Sequence, residues 1–316
     1  MKAITQDKYG SADVLRLRDI ERPTPSEREV LVRVQAAGIA RGVLHVMMRL
    51  VGFGLLKPKN PVPGQDVAGT VTATGDGVTR FKIGDEVFGI AKGSFAEYAV
   101  AREDKLTHKP ENLSFEQAAA VPISGLTALV ALDAAGLTVG SNVLIVGASG
   151  GVGTYAVQIA VALGATVTGV ASGSKADLVT ELGAQRVIDY TREDFADGSH
   201  TYDVIVDTGG MTSVSRLRKA LQPKGTLVIV GGESGSTWNP GMGRQLKAAV
   251  MSPIVSQRLT SILNKEHYSG LDRLAKLAAT GDVAPCIERS YSLADVPDAV
   301  RRLEAGNVRG QIVITP

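Results

Sequence analysis

The chain has 316 residues, 44% of them hydrophobic and 21% charged, a length that fits one large domain or two moderate ones because single cores stop growing near about 250–300 residues. That composition excludes disordered and fibrous proteins. With 34 Lys and Arg against 32 Asp and Glu, the net charge of +2 creates no field that would recruit nucleic acid or an anionic membrane, so neither is expected as a partner.

In chain order, Glu29 to Gln35 (EVLVRVQ) alternates with the period of a half-buried strand, and Val67 to Thr74 (VAGTVTAT) does so less cleanly. Turns at Gly75-Asp76-Gly77 and Ile83-Gly84-Asp85 flank Val78 to Lys82, and Asp85 to Ile90 restarts a strand, a pattern that predicts a small barrel-like β domain. Ser114-Phe115-Glu116-Gln117 has the capping-box form and predicts an Ala-rich helix running through Leu132. Strands and helices then alternate. Strands are predicted at Val143–Val146, Thr166–Ala171, Arg186–Asp189, Asp203–Asp207 and Thr226–Val230, and helices at Gly153–Leu163, Lys175–Leu182 and Ser213–Leu221. Such βαβ alternation predicts a doubly wound parallel sheet. Helices at Leu271–Ala279 and Ala294–Ala305 and a strand at Gln311–Thr315 close the chain.

The single cysteine, Cys286, can make neither an internal disulfide nor a multi-thiolate zinc site, which points to a reducing compartment. The polar opening Met1 to Gln6 lacks the apolar centre of a secretory signal. The apolar stretch Ala118 to Leu137 is broken by Pro122, Ser124, Gly125 and Asp133, and no window offers the ~20 apolar residues of a membrane span. A cytoplasmic protein is expected.

The run Val143-Leu144-Ile145-Val146-Gly147-Ala148-Ser149-Gly150-Gly151-Val152-Gly153 reads as a strand entering a glycine-rich turn that opens a helix. Such a turn lets the backbone approach a pyrophosphate, and the helix start supplies N–H groups and positive partial charge. Laid on G-x-G-x-x-G, the first glycine is Ala148, with Gly150 and Gly153 at the second and third places and Gly147 preceding. A tight turn without a ligand is the alternative, and the βαβ context favours a dinucleotide. An NAD site usually carries a carboxylate at the tip of the second strand, about 20 residues past the glycines. This chain has Ser172-Gly173-Ser174-Lys175 there, hydroxyls and an ammonium suited to a 2′-phosphate, so NADPH is the expected cofactor. For Asp177 the sequence suggests a helix-start carboxylate complementing the dipole, and for Lys175 the alternative is a solvated helix-start lysine.

Together these features resemble the medium-chain dehydrogenase/reductase superfamily, in its zinc-free quinone oxidoreductase branch. The resemblance is carried across nearly the whole chain by Pro63 to Val71 (PGQDVAGTV), Phe81 to Val87 (FKIGDEV), Gly93 to Tyr98 (GSFAEY), Gly125 to Ala128 (GLTA), the Gly147–Gly153 loop, Val187 to Tyr190 (VIDY) and Gly310 to Ile314 (GQIVI). It implies an α/β architecture: a GroES-like β-barrel domain over residues 1–122 and 259–316 and a Rossmann domain over residues 123–258. It also implies that Thr127 touches the nicotinamide side, that Ser149, Gly150, Gly151 and Val152 line the pyrophosphate, and that Gly231 and Gly232 pack along the nicotinamide ribose. Ser172, Ser174, Lys175 and Tyr190 would hold the adenosine phosphate end, Tyr190 being alternatively a packed strand-end aromatic. A homodimer is implied as well.

The departures are informative. Zinc alcohol dehydrogenases of this superfamily place a Cys in the first site segment and a His-Glu pair after the Pro-Gly motif, where this chain has Ala40 and Gln65-Asp66. A catalytic zinc needs about three N, S or O ligands around an open position, so no metal is expected. Quinone reductases often carry Asn and Asp in the first site segment, which here reads Gly38 to His45 (GIARGVLH) with neither. Arg41 and His45 are the weak catalytic candidates, as groups able to polarise a carbonyl or give a proton, with an ordinary packed or solvated histidine the alternative for His45. Val46 to Leu56 is apolar and Met-bearing, as either a lid or pocket wall or a core or interface segment would be, and the basic stretch Arg244 to Arg258 reads as a border of the same cleft, a subunit contact or a solvated helix face.

The expected activity is NADPH-dependent hydride transfer to a small hydrophobic carbonyl or quinone, without zinc. The rivals are a zinc-free alcohol or aldehyde reductase and a non-enzymatic NADPH-binding, redox-responsive module.

Overall fold

The structure is a computed structural model and describes residues 1–47, 58, 60–230, 242–262 and 266–316. The chain divides into two compact units, Met1–Leu126 with Lys265–Pro316, and Thr127–Asn264.

In the second unit, six parallel strands β1 (Asn142–Val146), β2 (Thr166–Ala171), β3 (Arg186–Asp189), β4 (Tyr202–Asp207), β5 (Leu221–Ile229) and β6 (Arg258–Ser261) form one sheet in the order β3-β2-β1-β4-β5-β6. This is the doubly wound dinucleotide-binding order, in which the chain's direction of growth reverses at β1 and leaves a crevice outside the carboxyl ends of β1 and β4. The central strands are apolar without alternation because a parallel sheet is covered on both faces. Leu144, Ile145, Ile205, Leu227 and Ile229 are all 0% exposed. Between β1 and β2 runs α1 (Gly151–Ala162), and between β2 and β3 the chain makes a 3₁₀ turn, Gly173–Lys175, followed by α2 (Ala176–Glu181).

The first unit is built on a mainly antiparallel sheet centred on the long strand Glu29–Ile39, which pairs with Asp66–Thr74 on one side and with Gln311–Thr315 on the other, Gln311–Thr315 in turn pairing in parallel with Ile287–Ser292. The chain's last strand therefore completes the first unit, with Ile312 opposite Ile39. Phe95, Val32, Val67 and Ile314 meet in its core.

Two expectations are corrected. The capping box is present, Ser114 Oγ accepting from Gln117 N at 3.1 Å and Gln117 Oε1 from Ser114 N at 2.9 Å, but the helix that it starts ends at Ala119. A second helix begins at Pro122 and runs to Ala135. Proline has no N–H and disfavours helical backbone in the residue before it, so it suits a helix start and not a helix interior. The basic stretch from Arg244 is not a solvated face throughout. It forms the helix Met242–Met251, from which Arg244 reaches the carboxylate of Asp207, and then strand β6. Among the described residues no helix is long and apolar enough to cross a membrane.

Candidate nucleotide and active site

The glycine loop leaves β1 at Val146 as predicted. Gly147 turns with φ +83°, a conformation open mainly to glycine, and a Cβ there would lie 2.7 Å from Thr208 Oγ1. Thr208, just past β4, donates to the carbonyls of Val146 at 2.8 Å and Gly147 at 3.3 Å, so the crevice edge of β4 buttresses the turn. A Cβ on Gly153 would lie 2.1 Å from the Gly147 carbonyl oxygen, which requires glycine for close helix–turn packing. Among the described residues, the only atom within 4 Å of an added Cβ at Gly150 is the Gly147 oxygen at 3.4 Å. Space is therefore open in front of α1, whose N-cap Gly150 contributes no side-chain cap. The turn thus has the shape that an approaching phosphate needs: two glycines demanded by internal packing and one that faces room.

Ala148, at the first place of the motif, is accommodated by a compensating glycine. It is 0% exposed, and a Cβ on Gly169 of β2 would come within 3.0 Å of the Ala148 Cβ. Ser149 is buried, while Gly150, Gly151 and Val152 are half-buried along the loop.

The tip of β2 lies beside this loop, since β1 and β2 are adjacent. Ser172 and Ser174 bring their hydroxyls within 3.3 Å of each other, and Lys175 is half-buried at the end of the same turn. Tyr190, past β3, is 62% exposed, which sets aside the alternative of a packed aromatic. The structure therefore brings Ser149 to Val152, Ser172, Ser174, Lys175 and Tyr190 to the carboxyl edge of three neighbouring strands. Asp177 sits in the first turn of α2, as read from the sequence.

Thr127 is half-buried on the helix Pro122–Ala135. The start of that helix is held by Asp66, which is 2% exposed and accepts from Ile123 N at 2.9 Å. Burial pushes the Asp66 carboxyl well above its ordinary range, against the Ile123 N–H that favours its charge, and the negative Glu266 adds to the rise. Asp66 is thus engaged as the acceptor at the start of that helix. Among the described residues no group of three or more His, Cys, Asp or Glu could hold a metal ion.

Of the two catalytic candidates, Arg41 opens the helix Arg41–Met47 and extends Nη2 to 3.8 Å from the Cβ position of Gly306, just past the helix Val296–Glu304. His45 belongs to the same short helix, and its side chain lies outside the described residues, as do residues 48–56 of the apolar stretch and both Gly231 and Gly232.

Three contributions were missed from the sequence: Thr208, Gly169 and the pairing of Asp207 with Arg244. Asp207 ends β4 with its side chain 0% exposed, and Arg244 from the helix Met242–Met251 pairs with it. Burial raises the Asp207 carboxyl, and the Arg244 guanidinium opposes the rise. Thr208 and Asp207 were findable, because the carboxyl ends of central strands are where this sheet order puts its crevice.

Two family models match. Residues 26–111 match the alcohol dehydrogenase GroES-like domain, and residues 182–314 match the zinc-binding dehydrogenase model. The chain therefore belongs to the medium-chain dehydrogenases/reductases. Within that superfamily it falls in the quinone oxidoreductase-like branch. It is 32% identical to the quinone oxidoreductase of Homo sapiens over 97% of this chain and 95% of that protein. It is 34% identical to the 2-methylene-furan-3-one reductase of Solanum lycopersicum, over 100% of this chain and 79% of that one. Among solved structures, the Escherichia coli quinone oxidoreductase complexed with NADPH superposes with TM-score 0.87 at 28% identity, covering 100% of both chains.

Proposed function

We propose that the protein is an NADPH-dependent oxidoreductase that reduces a quinone or an α,β-unsaturated carbonyl without zinc. The observation that carries this reading is the open cradle at Gly150, set at the switch point of the sheet in a chain that lacks the family's zinc-ligand side chains. Bound there, NADPH would supply a hydride. The amides at the start of α1 and the loop Ser149, Gly150, Gly151 and Val152 would bind the pyrophosphate, and Ser172, Ser174, Lys175 and Tyr190 the 2′-phosphate. Thr127, with Gly231 and Gly232 from the sequence alone, would line the nicotinamide end. The relatives named for a quinone and for a methylene-furanone support the acceptor class.

With Ala40 and Gln65 at two of the zinc-ligand positions, the donor set is too poor for a catalytic zinc, and the buried Asp66 is occupied as a helix-start acceptor. The role of the protein is then to align the acceptor and exclude water. A homodimer is part of the same reading. The edge strand β6 and the exposed Leu246, Val250 and Ile254, spaced four residues apart, support a second copy as the partner, and sedimentation velocity tests it. The activity is tested by nucleotide oxidation with each acceptor class after chelation. Chelator-insensitive turnover of a quinone or enone supports it, and turnover of aldehydes alone favours the alcohol or aldehyde reductase.

A further inference from the structure

Strand β3 pairs with β2 so that Asp189 is opposite Ala171, two residues before Gly173. That register carries the Asp189 carboxylate under the Ser172–Lys175 turn: a Cβ on Gly173 would lie 2.5 Å from Asp189 Oδ2. The carboxylate is tied in place. Oδ1 accepts from Thr191 Oγ1 at 2.7 Å and Thr191 N at 3.0 Å, and the backbone of Gly173 bonds to the same group. The Thr191 hydroxyl and amide, then the Gly173 amide and Arg192, hold it below the usual carboxylate range, so it is negative at neutral pH. Its side chain is 17% exposed, whereas its cation partner Arg192 is 85% exposed and 3.7 Å away. A pair that open to solvent leaves much of the carboxylate charge uncompensated.

We propose that Asp189 is a specificity-determining residue that restrains the preference for NADPH over NADH, by fixing a carboxylate beneath the turn that receives the 2′-phosphate. The inference rests on the reading that this turn binds that phosphate. A 2′-phosphate carries nearly two negative charges near neutral pH, and like charges this close to one turn repel, least screened where the carboxylate is shielded from water. The 2′-hydroxyl of NADH feels no such repulsion. Sequence inspection finds no carboxylate at the β2 tip, because this one arrives from the neighbouring strand.

The test is steady-state kinetics with NADPH and NADH for the wild type, Asp189→Asn, Asp189→Ser and Lys175→Ala, with calorimetric binding of 2′,5′-ADP and 5′-AMP. Asn keeps the size of Asp and an acceptor for Thr191, and Ser removes the charge with a smaller group, so one of the two reports even if the other folds poorly. Both are expected to lower KM for NADPH and tighten 2′,5′-ADP about five- to tenfold, with NADH and 5′-AMP unchanged and the gain shrinking in high salt. A residue that only braced the turn would weaken both nucleotides together, and that result overturns the proposal. Lys175→Ala separates the layers. If it weakens NADPH selectively while neither Asp189 variant shifts the NADPH/NADH ratio, the role of Asp189 falls and the phosphate site stands. If Lys175→Ala is also without selective effect and the wild type binds 2′,5′-ADP no tighter than 5′-AMP, the site reading falls and takes the proposal with it.

Discussion

Two glycines of one loop should respond to substitution in opposite ways. Gly150 has φ −85° and ψ 175°, extended backbone that any residue adopts, and among the described residues an added Cβ meets only the Gly147 oxygen at 3.4 Å. Gly150→Val should therefore fold with a stability change within about 1 kcal/mol, part of it a gain from a less flexible unfolded chain. Its branched side chain would fill the space in front of α1, and NADPH binding should weaken at least about 30-fold, roughly 2 kcal/mol. Gly153→Ala puts a methyl 2.1 Å from the Gly147 oxygen and 2.8 Å from the Ala148 Cα, both backbone atoms that cannot swing aside. Overpacking of that kind costs about 1–3 kcal/mol, a fall of several degrees in the unfolding midpoint. Thermal unfolding without nucleotide and calorimetric titration with NADPH separate the two effects. The reasoning is refuted if Gly150→Val binds NADPH like the wild type, or if Gly153→Ala unfolds at the wild-type temperature.

Three further outcomes follow. The folded state holds the Asp66 proton above the ordinary value of 3.8 while the unfolded chain has released it, so stability falls as pH rises from there through the raised value. Asp66→Asn should flatten that slope in urea titrations at several pH values and raise stability above it by about 1.4 kcal/mol per pKa unit of displacement. Arg244→Ala should destabilise the fold by about 3–5 kcal/mol because it strands a buried carboxylate, whereas Arg244→Met combined with Asp207→Asn should recover most of the loss in a double-mutant cycle. Exhaustive dialysis against a chelator should leave turnover unchanged, with elemental analysis finding far less than one zinc per chain.

Much of the fold is written locally, and what is not depends on pairing across the chain. The strands Thr166–Ala171, Arg186–Asp189 and Gln311–Thr315 match their predicted limits, since apolar β-branched runs between turn residues leave little choice. Leu106–His108 has only three residues, too few to show a period, and Ile287–Ser292 alternates no apolar face. Both form because an already placed strand offers them an edge, Glu86–Ile90 for the first and Gln311–Thr315 for the second. The phosphate loop was legible because glycine marks backbone strain and close approach in the sequence itself. Arg244 was not, since its partner Asp207 is 37 residues away, and neither was the carboxylate under Gly173, which arises from strand register.

The most direct measurement is absorbance at the nicotinamide band with NADPH and NADH in parallel, against a quinone, a linear enone and an aldehyde, each with and without chelator. The account predicts NADPH-preferring, chelator-insensitive turnover of the quinone or enone. Tight NADPH binding with no turnover of any acceptor, or activity lost on chelation, would contradict it.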